Sequence, residues 1–420
     1  MNDDIYCIDL GPAVLLVDLN TLCFRQVQKK ELTRASLQLH AEQLQEDTRP
    51  YYERLTPAEP DPQGICPVIV TSFRCNYACE YCYQASGKAC RDRLKPEDIP
   101  AIHHFYKEFC SRYSIPLVYD GVSVIGGEPL LPENRPTLLA VSEQWPDCTL
   151  QFTTNGACLP EYLDFLLSRR SVVRVSLDGT KDTHYSRRRP SDPAAYGNAV
   201  LGIRQLLRND RDVTVMTVFS PHHTEDYPLF FDFLENLGWL HSKHLRVGFI
   251  PEVGCGTDDI SRGNVLRNLN AFQSLLEKDP RAAYVDARKL LPGGTALADA
   301  LRLAASGRYD PYRCGSLSEP SYTFFPDGSV RACLSMQNAD PCIGRFMPEI
   351  IINESYIRRL AERRIDRMGA CRACPVRVLC RGGCPATAEK KTGDAAAPYC
   401  GFWKEGHFLS YYEMIMRCSQ

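Results

Sequence analysis

The chain has 420 residues, and its 44% hydrophobic and 24% charged content is that of an ordinary globular protein. Its 49 lysines and arginines against 51 acids give a net charge of −2, which excludes an overall positive field for nucleic acid or membranes. It has no apolar stretch of about 18 residues and no signal-peptide pattern. The sequence therefore predicts a cytoplasmic protein that binds neither nucleic acid nor membrane.

Twenty cysteines are a large excess for such a chain. Reducing cytosol disfavours disulfides, which leaves metal or redox chemistry as the leading explanation. Cysteines that stand alone in the sequence are interpreted instead as small buried hydrophobes. These are Cys7, Cys23, Cys66, Cys90, Cys110, Cys148, Cys158 and Cys418.

The N-terminal residues 1–65 predict a small module of a β-hairpin and a helix. Residues 13–28 form two apolar runs around Leu19 and Asn20, and residues 29–47 show helical spacing. Four prolines in residues 54–67 then favour an extended linker.

Residues 66–250 alternate short apolar runs with helical patterns, which predicts an α/β fold. Parallel neighbours need crossover connections, so six strands separated by helices indicate a parallel sheet or an open barrel. Of these two, we predict a partial (β/α)6 TIM-type barrel. Functional residues of such folds gather at the carboxyl ends of the strands. The predicted strands are 68–72, 121–127, 148–154, 171–179, 213–219 and 245–250, and the predicted helices lie near 97–113, 135–145, 160–169, 193–208 and 224–237.

The loop after the first barrel strand carries Cys75, Cys79 and Cys82 in the spacing CxxxCxxC. Structural zinc sites usually take four ligands, often as two CxxC-like pairs. Three thiolates on one short loop are more typical of an iron–sulfur cluster that leaves one iron open. An open iron can bind a cofactor or a substrate directly.

This loop, with Tyr81 before its last cysteine, resembles the signature of the radical S-adenosylmethionine (radical SAM) enzymes. Later strand ends carry matching motifs in the family's order, over residues 67–250. They are GGEP at residues 126–129, TTNG at 153–156 and SLDGTKDTHYSRR at 176–188. Agreement among four motifs is stronger than any one of them.

The resemblance implies a set of residues that bind S-adenosylmethionine. Glu128 would accept the ammonium of the methionine part, and Arg188 would bind its carboxylate. Arg187 and Arg189 are the alternatives for this role, because each is one residue away from Arg188 in the sequence. The implied cofactor-binding residues are Tyr81, Gly126, Gly127, Glu128, Asn155, Ser176, Asp178 and Arg188.

The resemblance also implies the chemistry. A [4Fe–4S] cluster on Cys75, Cys79 and Cys82 would bind S-adenosylmethionine through its open iron and reduce it. Methionine would leave with a 5′-deoxyadenosyl radical that abstracts hydrogen from a substrate. A flavodoxin- or ferredoxin-type protein would donate the electron.

A second cysteine constellation follows the helical connector predicted for residues 251–310. Residues 311–420 are loop-rich and resemble the SPASM extension of radical SAM enzymes that modify peptides. Zinc stays as an alternative for the CxxC pair. The metal-ligating cysteines that the resemblance implies here are Cys314, Cys333, Cys371, Cys374, Cys380, Cys384 and Cys400.

By the SPASM pattern these cysteines would hold two auxiliary [4Fe–4S] clusters, three clusters in all. Cys371, Cys374, Cys380 and Cys400 would complete one cluster. The other set, Cys314, Cys333 and Cys384, is one ligand short. Either that cluster has an open iron for a substrate thiolate, which we favour, or Cys342 or Cys255 supplies the ligand.

The resemblance predicts a ribosomally made precursor peptide as substrate, and residues 1–65 as a possible leader-binding element. In sulfatase-maturing enzymes an aspartate that acts as a general base follows the corresponding cysteine. Here Leu334 follows Cys333, which argues against formylglycine formation. Formation of a thioether or carbon–carbon cross-link, an oxidoreductase activity, therefore leads. The alternatives are side-chain oxidation or epimerisation, an iron–sulfur electron carrier, and a zinc-ribbon interaction protein.

Overall fold

The structure is a computed structural model that divides the chain into two compact units. The terminal unit comprises residues 1–60, 291–314 and 361–420, and the barrel unit comprises 61–290 and 315–360. The residues described are 5–9, 13–18, 24–31, 33–52, 56–57, 64–82, 84, 92–252, 262–287, 290, 308–312, 314, 317, 319–336, 342–372, 374 and 377–400.

The N-terminal part of the terminal unit is a three-stranded antiparallel sheet followed by a helix. The strands β1 (Ile5–Asp9), β2 (Ala13–Asp18) and β3 (Phe24–Gln28) pair in the order β1-β2-β3. Helix α1 (Arg34–Tyr52) is followed by the short strand β4 (Thr56–Pro57). The predicted hairpin and helix are present, and β1 is an addition.

This small sheet and helix share an apolar core. Leu16 and Val27 from the sheet pack with Ala41 and Leu44 of α1, and all four are buried. The hydroxyl of Thr33 accepts a hydrogen bond from the N–H of Ser36 at 3.1 Å and so caps the start of α1.

The barrel unit contains the six predicted parallel strands in sequential order, which confirms the fold class. Each β-branched or aromatic run contributes at least one fully buried side chain to the core, as expected for strands covered on both faces. The strands are β5 (Val68–Val70), β6 (Gly121–Ile125), β7 (Thr149–Thr154), β8 (Ser171–Ser176), β9 (Val213–Phe219) and β10 (Leu245–Pro251). The buried side chains are Ile69, Val124, Phe152, Val175, Val215 and Phe249.

Helices connect these strands, and one of them was not expected. Helix α5 has no apolar periodicity, because its buried positions include His184, Arg187 and Arg188. The helices are α2 (Ile99–Tyr113), α3 (Arg135–Gln144), α4 (Leu163–Leu167), α5 (Lys181–Arg188), α6 (Ala195–Arg208), α7 (Tyr227–Asn236) and α8 (Arg262–Lys278). Short 3-10 helices lie at Lys29–Glu31, Pro96–Asp98, Pro132–Asn134, Leu159–Tyr162, Pro221–Asp226 and Pro280–Tyr284.

The barrel sheet continues beyond β5 into later sequence. After β11 (Arg308–Tyr309), which pairs with β4 in the terminal unit, the chain forms β12 (Thr323–Phe324), parallel to β5. Antiparallel strands β13 (Ser329–Arg331), β14 (Gly344–Arg345) and β15 (Ile351–Ile352) complete a sheet of ten strands among the described residues.

The remaining helices are short and lie near the C-terminal cysteines. They are α9 (Glu354–Ala361), α10 (Gly369–Arg372), α11 (Arg377–Cys380) and α12 (Pro385–Thr392). The compact units differ from the four predicted domains, whose boundaries stay a prediction. In the part of the chain that the structure describes, no helix is long and apolar enough to cross a membrane.

Candidate active site

The loop that carries Cys75, Cys79 and Cys82 begins where β5 ends and is fixed against the end of α5. The N–H of Ala78 donates to the carbonyl of Arg188 at 3.1 Å, and the N–H of Glu80 donates to that of Arg187 at 3.2 Å. These backbone bonds place the thiols beside the α5 arginines.

All three thiols line one cavity at the carboxyl ends of the barrel strands. It encloses about 1220 Å³ of empty space, its open mouth included. Six of the predicted cofactor-binding residues also line it: Tyr81, Gly126, Gly127, Asn155, Ser176 and Arg188. The other two, Glu128 and Asp178, lie behind this lining and are 1% exposed.

The two glycines after β6 allow close approach of two backbone segments. The N–H of Gly127 donates to the carbonyl of Ser72 at 2.8 Å. A Cβ on Gly127 would lie 2.2 Å from the carbonyl oxygen of Arg74, closer than any real contact. Only glycine therefore fits between the cysteine loop and the end of β6.

We expect Gly127→Ala to destabilise the barrel unit by at least about 1–3 kcal/mol, because the new methyl group meets backbone that cannot rotate away. Gly197 is the matched control. It lies in α6, and a Cβ there meets no atom within 4 Å. Gly197→Ala should stabilise the protein by about 0.5–1 kcal/mol. Denaturant unfolding measures both variants, and equal effects would contradict this reading of Gly127.

Glu128 holds the chain together at the base of the cavity. Its Oε1 accepts the N–H of Leu130 at 2.9 Å and the hydroxyl of Thr154 at 2.6 Å. Its Oε2 accepts the N–H of Asn155 at 2.6 Å. Its carboxylate bonds to the chain and does not line the cavity in this structure, so its predicted role as acceptor of the cofactor's ammonium stays a prediction.

Burial raises the pKa of Glu128 from 4.5 to about 7, although the three donors oppose the shift. Between these pH values the unfolded chain loses this proton while the folded chain keeps it. Stability therefore falls as pH rises through the window, by roughly 3 kcal/mol from this group. Glu128→Gln cannot titrate, so its unfolding free energy should lack this fall. Parallel pH slopes for the two proteins in denaturant unfolding would contradict the assignment.

Asn155, which follows β7, links this base to the cysteine loop. Its Nδ2 donates to Oδ1 of Asn76 at 2.7 Å and to the sulfur of Cys75 at 3.8 Å. The N–H of Tyr77 donates to the same sulfur at 3.4 Å. Hydrogen bonds of this kind to a ligating sulfur help to set a cluster's reduction potential.

Asp178 is the acceptor at the centre of a buried ion network. Its Oδ1 lies 2.9 Å from Nη2 of Arg188, and its Oδ2 lies 3.2 Å from Nη1 of Arg187. The hydroxyl of Tyr81 also donates to Oδ2, and the N–H of Val218 donates to Oδ1 at 2.9 Å. Burial alone would raise the pKa of Asp178, but the two arginines outweigh it and hold the pKa below its usual value.

The three consecutive arginines have different positions. Arg188 lines the cavity, whereas Arg187 is 1% exposed and pairs with Asp178 and with Glu252 at 3.2 Å. Arg189 is exposed and pairs with Glu80. Among these three, only Arg188 is therefore placed to meet a ligand in the cavity.

Two residues that line the cavity have a buried side-chain donor with no acceptor among the described residues. They are Arg188, through its Nε, and Gln84, through its Nε2. Such groups cost free energy while they lack a partner. The three loop thiols, the two close-packed glycines and the guanidinium of Arg188 fit a [4Fe–4S] cluster with S-adenosylmethionine.

Several lining residues carry no motif. Met216 and Val218 come from β9, and Ile250 and Glu252 come from the end of β10. Their position at the carboxyl ends of the fifth and sixth barrel strands is the signal that would have identified them. Thr153 and Thr154 belong to the TTNG motif but were not among the predicted site residues. The other lining residues that were not predicted are Tyr77, Gln84, Ile125, Met216, Val218, Ile250, Pro251 and Glu252.

The C-terminal cysteines fall in both units. Cys333 and Cys342 are in the barrel unit, where the Cys333 sulfur accepts the N–H of Ser335 at 3.4 Å and the Cys342 thiol donates to the carbonyl of Gly344 at 3.3 Å. Cys255 lies outside the described residues. The others belong to the terminal unit: Cys314, Cys371, Cys374, Cys380, Cys384 and Cys400.

Within the terminal unit, Cys371 is near other predicted ligands. Burial raises its pKa, the charges of Cys374 and Cys400 raise it further, and Arg363 lowers it. The N–H of Cys374 donates to the carbonyl of Cys371 at 3.0 Å. Among the described residues, no three His, Cys, Asp or Glu side chains converge closely enough to hold a single metal ion.

Comparisons with known proteins show which family and which fold the chain is similar to. Residues 69–234 match the radical SAM superfamily, and no curated protein matches the chain. The fold is similar to that of native anSMEcpe with bound AdoMet and Cp18Cys peptide, at 16% identity and a TM-score of 0.57 over 83% of this chain and 96% of that one. It is also similar to Streptococcus suis SuiB bound to precursor peptide SuiA, at 12% identity and a TM-score of 0.56 over 94% and 98% of the two chains.

At these identities the structural likeness shows the fold, while the family match covers the strands that carry the motifs. The resemblance to radical SAM enzymes drawn from the sequence is confirmed. The cysteine loop, the parallel strands and the family match together identify residues 69–234 of this chain as a radical SAM domain.

Proposed function

We propose that this radical SAM enzyme modifies a ribosomally made precursor peptide, forming a thioether or carbon–carbon cross-link. The observation that carries the proposal is the cavity at the strand ends, which the three loop cysteines line together with Gly126, Gly127 and Arg188, the last residue of α5. When bound there, a reduced [4Fe–4S] cluster and S-adenosylmethionine supply a 5′-deoxyadenosyl radical that abstracts hydrogen.

The chain's own residues would bind, orient and shield these groups. Cys75, Cys79 and Cys82 would ligate three irons, and Arg188 would pair with the methionine carboxylate. Asp178 would orient Arg188 and would not contact the cofactor itself. Apolar side chains of β9 and β10 would exclude water from the reacting atoms.

The auxiliary clusters belong to the same proposal. Cys371, Cys374, Cys380 and Cys400 would ligate one [4Fe–4S] cluster. The ligand set of the second auxiliary cluster, Cys314, Cys333 and Cys384 with an open iron for a substrate thiolate, stays a prediction from the SPASM pattern. The mutual influence of Cys371, Cys374 and Cys400 supports the first set.

A peptide substrate is supported by the similar solved structures, one with a Cp18Cys peptide and one with the precursor peptide SuiA. The sheet of β1, β2 and β3 offers a route to leader binding, because β1 and β3 are its edge strands among the described residues. Strand addition to such an edge is a common mode of peptide capture. A flavodoxin- or ferredoxin-type protein would donate the electron.

Co-expression with short peptides encoded beside this gene tests the proposal. High-resolution mass spectrometry should show a peptide lighter by two hydrogen atoms per cross-link, and fragmentation should stop between the linked residues. Deuterium uptake from D₂O without a mass change in H₂O would indicate epimerisation instead. If no co-expressed peptide changes while deoxyadenosine accumulates, the peptide-modifying function is wrong.

A further inference from the structure

A buried arginine in the terminal unit has no carboxylate among its described hydrogen-bond partners. Arg363 is 0% exposed, and its Nη atoms donate to four backbone carbonyls. Its Nε has no acceptor among the described residues. Burying a cation is costly unless an anion compensates its charge.

Neighbouring buried arginines show the usual solution. Arg364, the next residue, pairs with Asp366 at 3.1 Å. Arg381 pairs with Asp310 at 2.6 Å. Arg363 therefore differs from these two arginines in having no carboxylate among its described hydrogen-bond partners, and the reason must lie in its own surroundings.

Those surroundings are the loops that carry cysteines. The Nη2 of Arg363 donates to the carbonyls of Gly382 at 2.7 Å and Gly383 at 2.9 Å, between Cys380 and Cys384. Its Nη1 donates to the carbonyls of Ala395, at 3.0 Å, and Ala397, in the segment that leads to Cys400. The guanidinium thus joins the two loops.

The turn at these loops is built for this approach. Arg381, Gly382 and Gly383 have φ values of 51°, 79° and 77°, a left-handed bend that two glycines make possible. Burial lowers the pKa of Arg363, and the charges of nearby thiols oppose that shift. These thiols are Cys384, Cys314, Cys371 and Cys380.

We propose that Arg363 is the counter-ion of an anionic metal–thiolate centre formed by cysteines of the terminal unit. The thiolates outweigh the positive charge of the metal core in a four-thiolate centre, so its net charge is negative. A fixed cation in the same low-dielectric interior stabilises that charge. It stabilises the reduced form of an iron–sulfur cluster more than the oxidised form, because reduction adds negative charge.

The inference rests on the proposed auxiliary cluster for the identity of the metal, and it does not depend on the peptide substrate. Arg363 would then be a positioning residue with two roles. Its hydrogen bonds join the two loops, and its charge stabilises the metal–thiolate centre. A purely structural arginine would stabilise the metal-free and the metal-loaded protein equally.

A thermodynamic cycle that combines the Arg363→Gln substitution with metal loading tests this proposal. The free energy of unfolding is measured for wild type and Arg363→Gln, each reconstituted with iron and sulfide and each metal-free. Metal loading should stabilise wild type more than Arg363→Gln, by about tenfold or more in the unfolding equilibrium. Arg364→Gln, the matched control with its own carboxylate partner, should keep the wild-type gain. An equal gain in all three proteins would overturn the proposal.

Arg363→Lys provides a second test in case Arg363→Gln does not fold. Lysine keeps the charge and loses the planar fork that reaches four carbonyls. It should retain most of the metal-dependent stabilisation, and loss of that stabilisation with the charge still present would overturn the proposal.

The reduction potentials give a second readout. In Arg363→Gln, one auxiliary cluster should shift to a more negative potential, by about 59 mV for a tenfold change in the ratio of reduced to oxidised cluster. The cluster on Cys75, Cys79 and Cys82 should not shift. If zinc alone produces the charge-dependent stabilisation and no auxiliary iron–sulfur signal forms, the counter-ion stands and the proposed cluster identity is wrong. If every potential stays unchanged in an iron-loaded protein, the counter-ion is wrong.

Discussion

Replacement of Cys75, Cys79 and Cys82 by alanine should reduce 5′-deoxyadenosine release from S-adenosylmethionine to the background of a protein-free control. These three thiols line one cavity and come from a loop fixed by backbone bonds to the end of α5. Without these thiols the proposed cluster would lose its ligands, and an electron would have no path to S-adenosylmethionine. Chromatography of the anaerobic reaction with dithionite measures the product.

Cys148→Ala is the control for this triple variant. Cys148 is half-buried in the same unit, but it does not line the cavity. Its variant should release deoxyadenosine at the wild-type rate. Release by the triple variant above background would mean that the cluster binds elsewhere in the chain.

The second large effect concerns Asp178, the carboxylate between two buried arginines. Asp178→Asn should lower the free energy of unfolding by roughly 3–5 kcal/mol, because it leaves guanidinium charge buried without its partner. Asparagine keeps the size of the side chain, so cavity formation does not contribute. Denaturant unfolding followed by circular dichroism measures the loss.

The exposed pair of Arg189 and Glu80, 3.3 Å apart, is the matched control. Solvent screens this pair, so Glu80→Gln should change the unfolding free energy by less than about 1 kcal/mol. If Asp178→Asn costs no more than Glu80→Gln, the buried ion network does not stabilise the domain. Binding of S-adenosylmethionine should also weaken in Asp178→Asn, since Arg188 loses the group that orients it.

The barrel could be predicted because its strands are apolar runs of ordinary length, and the first four are each followed by a polar motif. The spacing of Cys75, Cys79 and Cys82, directly after the first barrel strand, carries most of the prediction of the site. Position at a strand end then groups Gly126, Asn155 and Ser176 around one cavity, and Arg188 reaches the same cavity from the end of α5.

Other features depend on contacts that periodicity does not encode. Helix α5 is polar along its length, and it forms because His184 and Arg187 find buried partners in the folded chain. Glu128 and Asp178 have the residue types that a zwitterionic ligand requires, yet their carboxylates bond to the chain. A sequence motif predicts which residue type lies at a strand end. It does not predict whether that carboxylate faces the cavity or the interior of the protein.

The extension of the barrel sheet through β12 to β15 and the isolated charge of Arg363 were also missed. Those strands have two or three residues each, too short for a period to show. Arg363 lies in a run of charged residues that looks exposed, and only the fold shows it buried beside cysteine loops.

Reductive cleavage by the whole protein is the most direct test of the radical SAM site. The anaerobically reconstituted enzyme, reduced with dithionite, should convert S-adenosylmethionine to 5′-deoxyadenosine and methionine in equal amounts. A protein that carries iron and sulfide, binds S-adenosylmethionine and still releases no deoxyadenosine would contradict the assignment of this cavity.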